Sequence, residues 1–317
     1  MSADKPFSTG VVFASDQGYM FLARGLVLSL NAAGFPAPDV KLVLIDLGLN
    51  DNARAWMREH GVEIVPLDDA VIPSTIMAVI TPVQRAMAMR PWLPQILPQF
   101  DHIIWLDCDL WLQNGDVIRF MRGGAQAAPE KILVAPGISH YNYSLYSDIG
   151  HLVTMQRIWY ESCYDTALVQ KGVNGLHYSG GVWGLQRSSP FWDLWKAEVE
   201  YLYPTVMQRN PDLVHLAEQI ALNIVILRSG HLMRLDPLYN FHANSGGAIR
   251  LDDGRVVTNL MVPIRDVGVI HLANWRFMRG QYLQQKLLYR TGDYLTQDEL
   301  ATLMQQVIAD ADAAPKS

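Results

Sequence analysis

The chain is expected to fold as an α/β protein, with a mostly parallel sheet flanked by helices. Three observations carry that expectation. Short apolar runs bounded by turn residues alternate with helix-length stretches along the N-terminal part of the 317 residues, a pattern that requires crossover helices between parallel strands. Half of the residues are hydrophobic and only 18% are charged, enough to build a large core. The run Ile103-Ile104-Trp105-Leu106 closes abruptly on Asp107-Cys108-Asp109, as a buried strand does on leaving the core.

Val11-Val12-Phe13-Ala14 reads as the first strand, turning at Ser15-Asp16-Gln17-Gly18. Residues 19–33 then form a buried helix, stopped by Gly34 and Pro36. A second strand is expected over 41–45, a helix over 50–60 ending at Gly61, and a third strand over 62–66. Helical pattern over 82–97 leads into the strand that ends at Asp107. Residues 136–177 are rich in Tyr, Ser, Gly and His without clean periodicity, and read as a long irregular segment that shapes a substrate site. A strand follows around Ser179-Gly180-Gly181. Residues 211–227 then form an amphipathic helix carrying His215, Gln219 and Asn223 as a polar stripe. Val267-Gly268-Val269-Ile270 is a late strand ending in His271, and from 278 onward the pattern is helical and increasingly polar. The expected division is one domain over 1–275 and a helical segment with a polar tail over 276–317.

Two carboxylates one residue apart at the carboxyl end of a strand stand where open α/β sheets bind ligands. Their oxygens suit a hard divalent cation, which can clamp a diphosphate. Asp310-Ala311-Asp312 repeats the triplet in an Ala-rich polar tail with no strand before it and reads as solvated surface. The net charge of −6 argues against a nucleic-acid partner, so phosphate must be met locally by a metal, a few Arg side chains or backbone N–H groups. Cys108 and Cys163 make no disulfide framework. The N-terminus lacks a basic region followed by an apolar one, and the stretch 19–33 falls short of a membrane span. A cytoplasmic protein without a transmembrane segment is expected.

Several segments together resemble glycosyltransferase family 8, a group of retaining, metal-dependent GT-A enzymes. Phe13-Ala14-Ser15-Asp16-Gln17-Gly18-Tyr19 is similar to the family's F-A-A-D-x-N-Y turn, with Gly18 in place of Asn. Arg90 stands seventeen residues before Asp107, where the family carries a donor-binding Arg. Tyr178-Ser179-Gly180-Gly181-Val182 resembles F-N-A-G-V beside the donor sugar. Glu218-Gln219-Ile220-Ala221-Leu222-Asn223 resembles D-Q-D-x-L-N, and Arg234-Leu235-Asp236-Pro237-Leu238-Tyr239-Asn240 resembles the L-P-x-x-Y/F-N segment that follows. Ile270-His271-Leu272 matches I-H-F, and beyond it Asn274 replaces the family's Gly, with Arg276 near the place of its phosphate-binding Lys. The five motifs occur in the family's order.

The resemblance implies a GT-A (Rossmann-like) domain that moves a hexose from a UDP-sugar donor to a hydroxyl acceptor such as a glycan. It implies Mn²⁺ (or Mg²⁺) on Asp107, Asp109 and His271. Ala14, Ser15, Asp16 and Tyr19 would seat the nucleoside, and Arg90, Cys108, Ser179, Gly180 and Asn274 would complete the donor site. Gln219 would lie near the reacting carbon, with Glu218 orienting sugar hydroxyls. Acceptor choice is assigned to 136–177, where His140, Tyr141, Tyr143, Tyr146 and Tyr160 offer flat faces with polar edges. Two alternatives stay open: a nucleotidyltransferase, although the first turn lacks Lys or Arg, and a catalytically impaired descendant that binds sugar nucleotide or a protein partner.

Overall fold

The computed structural model describes residues 7–136, 149–173, 176–242, 249–252, 255–258 and 265–272. Asn274, Arg276, His140, Tyr141, Tyr143, Tyr146 and the expected segment 276–317 lie outside them. Strands β1 (Thr9–Ser15), β2 (Val40–Asp46), β3 (Val62–Pro66) and β4 (His102–Leu106) come first, then the short β5 (Leu110–Leu112). β6 (Ile132–Pro136), β7 (Tyr178–Gln186) and β8 (Leu232–Arg234) follow. The main sheet has seven strands in the order β3-β2-β1-β4-β7-β6-β8. The first four are mutually parallel, β8 is parallel to β6, and β7 alone runs antiparallel to its neighbours β4 and β6.

Side-chain alternation explains why these strands are continuously apolar. On β4, Ile103 and Trp105 enter one core, together with Trp183 and Trp195, while Ile104 and Leu106 enter the other, with Phe13 and Leu26. With both faces covered, the strand is apolar from Ile103 to Leu106, and the polar His102 is confined to its first position. The helix Met20–Ala32 buries Leu22, Leu26 and Leu30 at four-residue spacing. The helix Asp51–Glu59 begins where the Asn50 side chain accepts from Ala53 N at 2.8 Å and is followed by Gly61 at φ 75°.

Three expectations are corrected. Residues 82–97 do not form one helix but two short helices, Arg85–Ala88 and Leu93–Ile96, interleaved with the 3₁₀ turns Pro82–Gln84 and Arg90–Trp92; Pro82, Pro91 and Pro94 each lack the N–H a longer ladder needs. The stretch 136–177 is not irregular where it is described: it contains the helices Ile149–Glu161 and Thr166–Val173. Tyr160 is 1% exposed and packs in the core against Gly172, so it is not an acceptor-facing side chain. Finally, 211–227 is a 3₁₀ turn, Pro211–Leu216, followed by the helix Ala217–Ser229. The expected polar stripe runs from the surface inward: His215 is exposed, Gln219 is half-buried and Asn223 is buried against β7.

Among the described residues no helix is long and apolar enough to cross a membrane.

His102, at the start of β4, is fully buried, and neither ring nitrogen has a hydrogen-bond partner among the described residues. Burial, helped by the Arg122 charge, lowers its pKa from 6.5 to about 3. A base depressed in this way contributes stability above the unfolded pKa, and that stability is lost as pH falls through 6.5 toward 3. His102→Leu is therefore expected to be more stable than the native chain at pH 5 by about 2 kcal/mol relative to the difference between the two at pH 7.5. Urea unfolding at both pH values measures this. An unchanged difference would mean the ring is protonated in place.

Candidate active site

The turn from β4 into β5 carries Asp107, Cys108 and Asp109. It is pinned on three sides by backbone bonds: Asp107 N donates to Gly181 O at 2.8 Å, Leu110 N to Asp107 O at 3.3 Å, and Leu272 N to Asp109 O at 3.0 Å. Strands β9 (Phe241–His242), β10 (Ile249–Asp252), β11 (Arg255–Thr258) and β12 (Arg265–Asp266) precede the last, β13 (Val269–His271). β13 lies between β5 and β9 in a small sheet that sets His271 opposite Leu110 on one side and His242 on the other.

Asp107, Asp109 and His271 thereby converge, each offering a ligand atom, all within 4.8 Å of one another. His271 Nε2 is 3.3 Å from Asp109 Oδ1 and 4.0 Å from Asp107 Oδ2. Burial alone would lower the His271 pKa, but the Asp109 charge beside it raises it. Burial likewise pushes the Asp109 carboxyl up, and the imidazole brings it below its usual range. The ring Nδ1 lies 2.8 Å from Asn240 Oδ1. An amide oxygen only accepts, so Nδ1 carries a proton and Nε2 is the nitrogen aimed at the carboxylates.

Two oxygen donors and one imidazole suit Mn²⁺, and Mg²⁺ less well. Space supports the same use, because a Cβ at Gly181 would lie 2.7 Å from His271 Cε1 and 2.9 Å from Asp107 Oδ2. Only glycine leaves that hollow open. Asn240→Leu is expected to lower Mn²⁺ affinity about tenfold or more, with Asn240→Asp retaining it; isothermal calorimetry distinguishes these outcomes from equal affinity in both.

Arg90 sits in its 3₁₀ turn at 4% exposure and bridges two carboxylates. Nη1 donates to Glu218 Oε2 at 2.7 Å and Nη2 to Asp107 Oδ1 at 2.5 Å. Trp105 Nε1 donates to the same Asp107 oxygen at 2.7 Å, and the guanidinium lies 4.8 Å from the Trp105 ring centroid. Glu218 is 1% exposed, and burial pushes its carboxyl up to about 7 despite Arg90. Glu218 Oε1 and Arg90 Nε have no protein partner among the described residues. Gly180 makes this pair possible, since a Cβ there would meet Arg90 Nη1 at 2.5 Å.

Gln219 is half-buried, and its Oε1 accepts from Gly180 N at 3.1 Å. Asn223 locks the same helix to β7, bonding both the N–H and the carbonyl of Tyr178. Ser179 is buried and accepts from Gly181 N. At the first turn, Asp16 Oδ1 accepts from Tyr19 N at 2.9 Å, and Ser15 donates locally to Asp16 O. Ala14 is buried in β1, and Asp16 and Tyr19 are half-buried. The Cys108 thiol is raised by burial and by the charges of Asp109, Asp107 and Asp16.

Sequence reasoning missed Gly181, Asn240, His177 and His242. Gly181 and Asn240 lay inside quoted motifs, but the signal that marks them, a missing Cβ and a bond to His271, exists only in three dimensions. A separate cavity of about 560 Å³, lined by Tyr164, Tyr201, Arg209 and Arg228 among others, shares no residue with this cluster.

No protein-family model matches the chain, and no curated protein matches it by sequence. Its fold is nevertheless shared with solved structures. Galactosyltransferase LgtC in complex with donor and acceptor sugar analogues aligns over 97% of both chains at TM-score 0.53 and 14% identity. Mouse xyloside xylosyltransferase 1, in its apo form, aligns over 84% of this chain and 96% of its own at TM-score 0.51 and 17% identity. The bifunctional glycosyltransferase WbbM aligns over 86% of this chain and 47% of its own at TM-score 0.56 and 11% identity. The mostly parallel seven-stranded sheet flanked by helices is the GT-A, Rossmann-like fold of these glycosyltransferases.

Proposed function

We propose that this chain transfers a hexose from a UDP-sugar to a hydroxyl acceptor, with retention of anomeric configuration and with Mn²⁺ held by Asp107, Asp109 and His271. The observation that carries the reading is the convergence of those three side chains at the carboxyl end of β4, on a fold shared with glycosyltransferases. When bound, the cation supplies charge stabilisation for the departing nucleoside diphosphate.

The chain's own groups do the rest. Asp107 and Asp109 present oxygens on a turn that three backbone bonds hold rigid, so little ordering remains to be done on binding. Asp16 and Tyr19 stand at the first turn, where the nucleoside would be seated. Arg90 would exchange part of its bond to Asp107 for the donor diphosphate, and Glu218 Oε1, which has no partner among the described residues, would accept a sugar hydroxyl. Gln219 reaches into the site from the N-terminal turn of its helix and would lie beside the reacting carbon.

The test combines binding with stereochemistry. UDP is expected to raise the melting temperature in Mn²⁺ and not in EDTA, since a ligand that binds only the native state stabilises it. Incubation with UDP-galactose or UDP-glucose should release UDP, and an early proton NMR spectrum of the product should show the donor's anomer. Equal UDP affinity in EDTA and Mn²⁺, or an inverted product, would overturn the reading. UDP binding without any turnover would favour the impaired, binding-only descendant.

A further inference from the structure

Gln219 has two neighbours whose chemistry leaves its amide a single orientation. Its Oε1 lies 3.1 Å from the Gly180 backbone nitrogen, and its Nε2 lies 2.7 Å from His177 Nε2. A backbone N–H can only donate, so the carbonyl oxygen must face Gly180. Turning the amide over would set its NH₂ against that N–H and leave both without an acceptor. The NH₂ group therefore faces His177 and requires a bare ring nitrogen there.

This requirement determines the state of the imidazole. With Nε2 bare, the ring is neutral and its proton is on Nδ1, which lies 3.4 Å from the Tyr160 hydroxyl. Tyr160 is buried in the core and cannot move far. The Trp159 ring, 5.3 Å away, sits against the imidazole on a second side. Burial favours the same neutral form, with a pKa lowered to about 4. The backbone of Gln219 is held separately, its carbonyl accepting from Asn223 Nδ2 at 2.8 Å. Two devices are thus at work: Asn223 places the helix, and His177 anchors the amide's NH₂ end opposite the Gly180 N–H that orients it.

We infer that His177 is a positioning residue for Gln219, locking its amide between Gly180 and the imidazole so that one N–H and one carbonyl lone pair remain for the bound sugar. The inference rests on the reading of Gln219 as the group beside the reacting carbon. Without His177 the amide would keep only its one bond from Gly180 N, and the reacting geometry would be populated only part of the time.

The test uses the full chain and two kinds of readout. Nitrogen-15 NMR of histidine-labelled, metal-free protein, with the His177 resonances identified by their loss in His177→Gln, should show Nδ1 protonated and Nε2 bare between pH 6 and pH 8. A proton on Nε2, or a mixture of tautomers, overturns the inference whatever the protein's activity. With UDP-galactose or UDP-glucose and Mn²⁺, His177→Phe should lower kcat about tenfold or more, leaving the donor KM and the Mn²⁺-dependent affinity for UDP within about twofold. His177→Gln, which can place an amide oxygen near the Nε2 position, should recover most of the lost rate. Equal kcat in the native chain and His177→Phe, or a folded His177→Gln as slow as His177→Phe, also overturns it. Absence of turnover in the native chain would defeat the transferase reading instead, and the tautomer would still decide the role of His177.

Discussion

Gly181→Ala is expected to abolish the proposed binding of a divalent cation, although it removes none of the three side chains proposed to hold it. The new methyl would fall within 3 Å of both the His271 ring and an Asp107 oxygen, distances that force the cluster apart. Backbone cannot yield easily at this point, because Gly181 O holds Asp107 N and Gly181 N is bonded to Ser179. Mn²⁺ affinity should drop at least about tenfold, and the Mn²⁺-dependent affinity for UDP should fall with it. Asp109→Asn should give the same loss by another route, since it removes the charge that sits 3.3 Å from His271 Nε2. Calorimetry with MnCl₂, beside circular dichroism to verify the fold, measures both. Mn²⁺ affinity within twofold of the native value in both variants would remove Asp107, Asp109 and His271 from consideration as a metal site.

Arg90→Ala is expected to be the most destabilising single change near the site. It strips the counter-charge from Glu218, which has 1% of its surface in water. Breaking a buried ion pair from one side costs about 3–5 kcal/mol. The loss should depend on pH, and the sign follows from Glu218. Its carboxyl is raised from 4.5 to about 7 in the folded protein. An acid raised in this way contributes stability fully present below the unfolded pKa and lost as pH rises through the folded pKa. In the native chain that loss is about 3 kcal/mol between pH 4.5 and pH 8. Arg90→Ala should therefore be closest to native stability near pH 5, where Glu218 can be neutral, and furthest from it at pH 8. Glu218→Gln should flatten the native slope over the same window. Urea unfolding at pH 5 and pH 8 provides the measurement; a penalty for Arg90→Ala that is equal at both pH values would mean that Glu218 is not the group left uncompensated.

Particular elements explain how much could be read in advance. The first four strands and the helices Met20–Ala32 and Asp51–Glu59 are carried by local signals: uninterrupted apolar runs, four-residue spacing, the Asn50 cap and the glycines at 34 and 61. The stretch 82–97 misled because its apolar spacing was helical while its prolines were not compatible with one ladder. Around the site, Asp107 and Asp109 were visible because a strand ending in two charges is a local event. An adjacent Glu-Gln pair carries no local mark of burial, and only the packing of the helix against Arg90 and β7 shows that Glu218 is buried and Gln219 half-buried. The helices within 149–173 were missed because little apolar periodicity marks them, and Tyr160 reads as a surface aromatic until its packing is known.

By itself the sequence determined the α/β class, the order of the first four strands with the two helices between the first three, and the placing of two carboxylates at a strand end. These follow from hydrophobic periodicity, caps and turn residues, which act over a few neighbouring positions. The reversed direction of β7, the approach of His271 to Asp109, the bridge from Arg90 across 128 residues to Glu218, and the bond between His177 and Gln219 were decided only by the tertiary structure. Each of these depends on elements distant in the chain packing closely enough to exclude water, and Gly180 and Gly181 make the closest of those approaches possible because they bring no Cβ into the space.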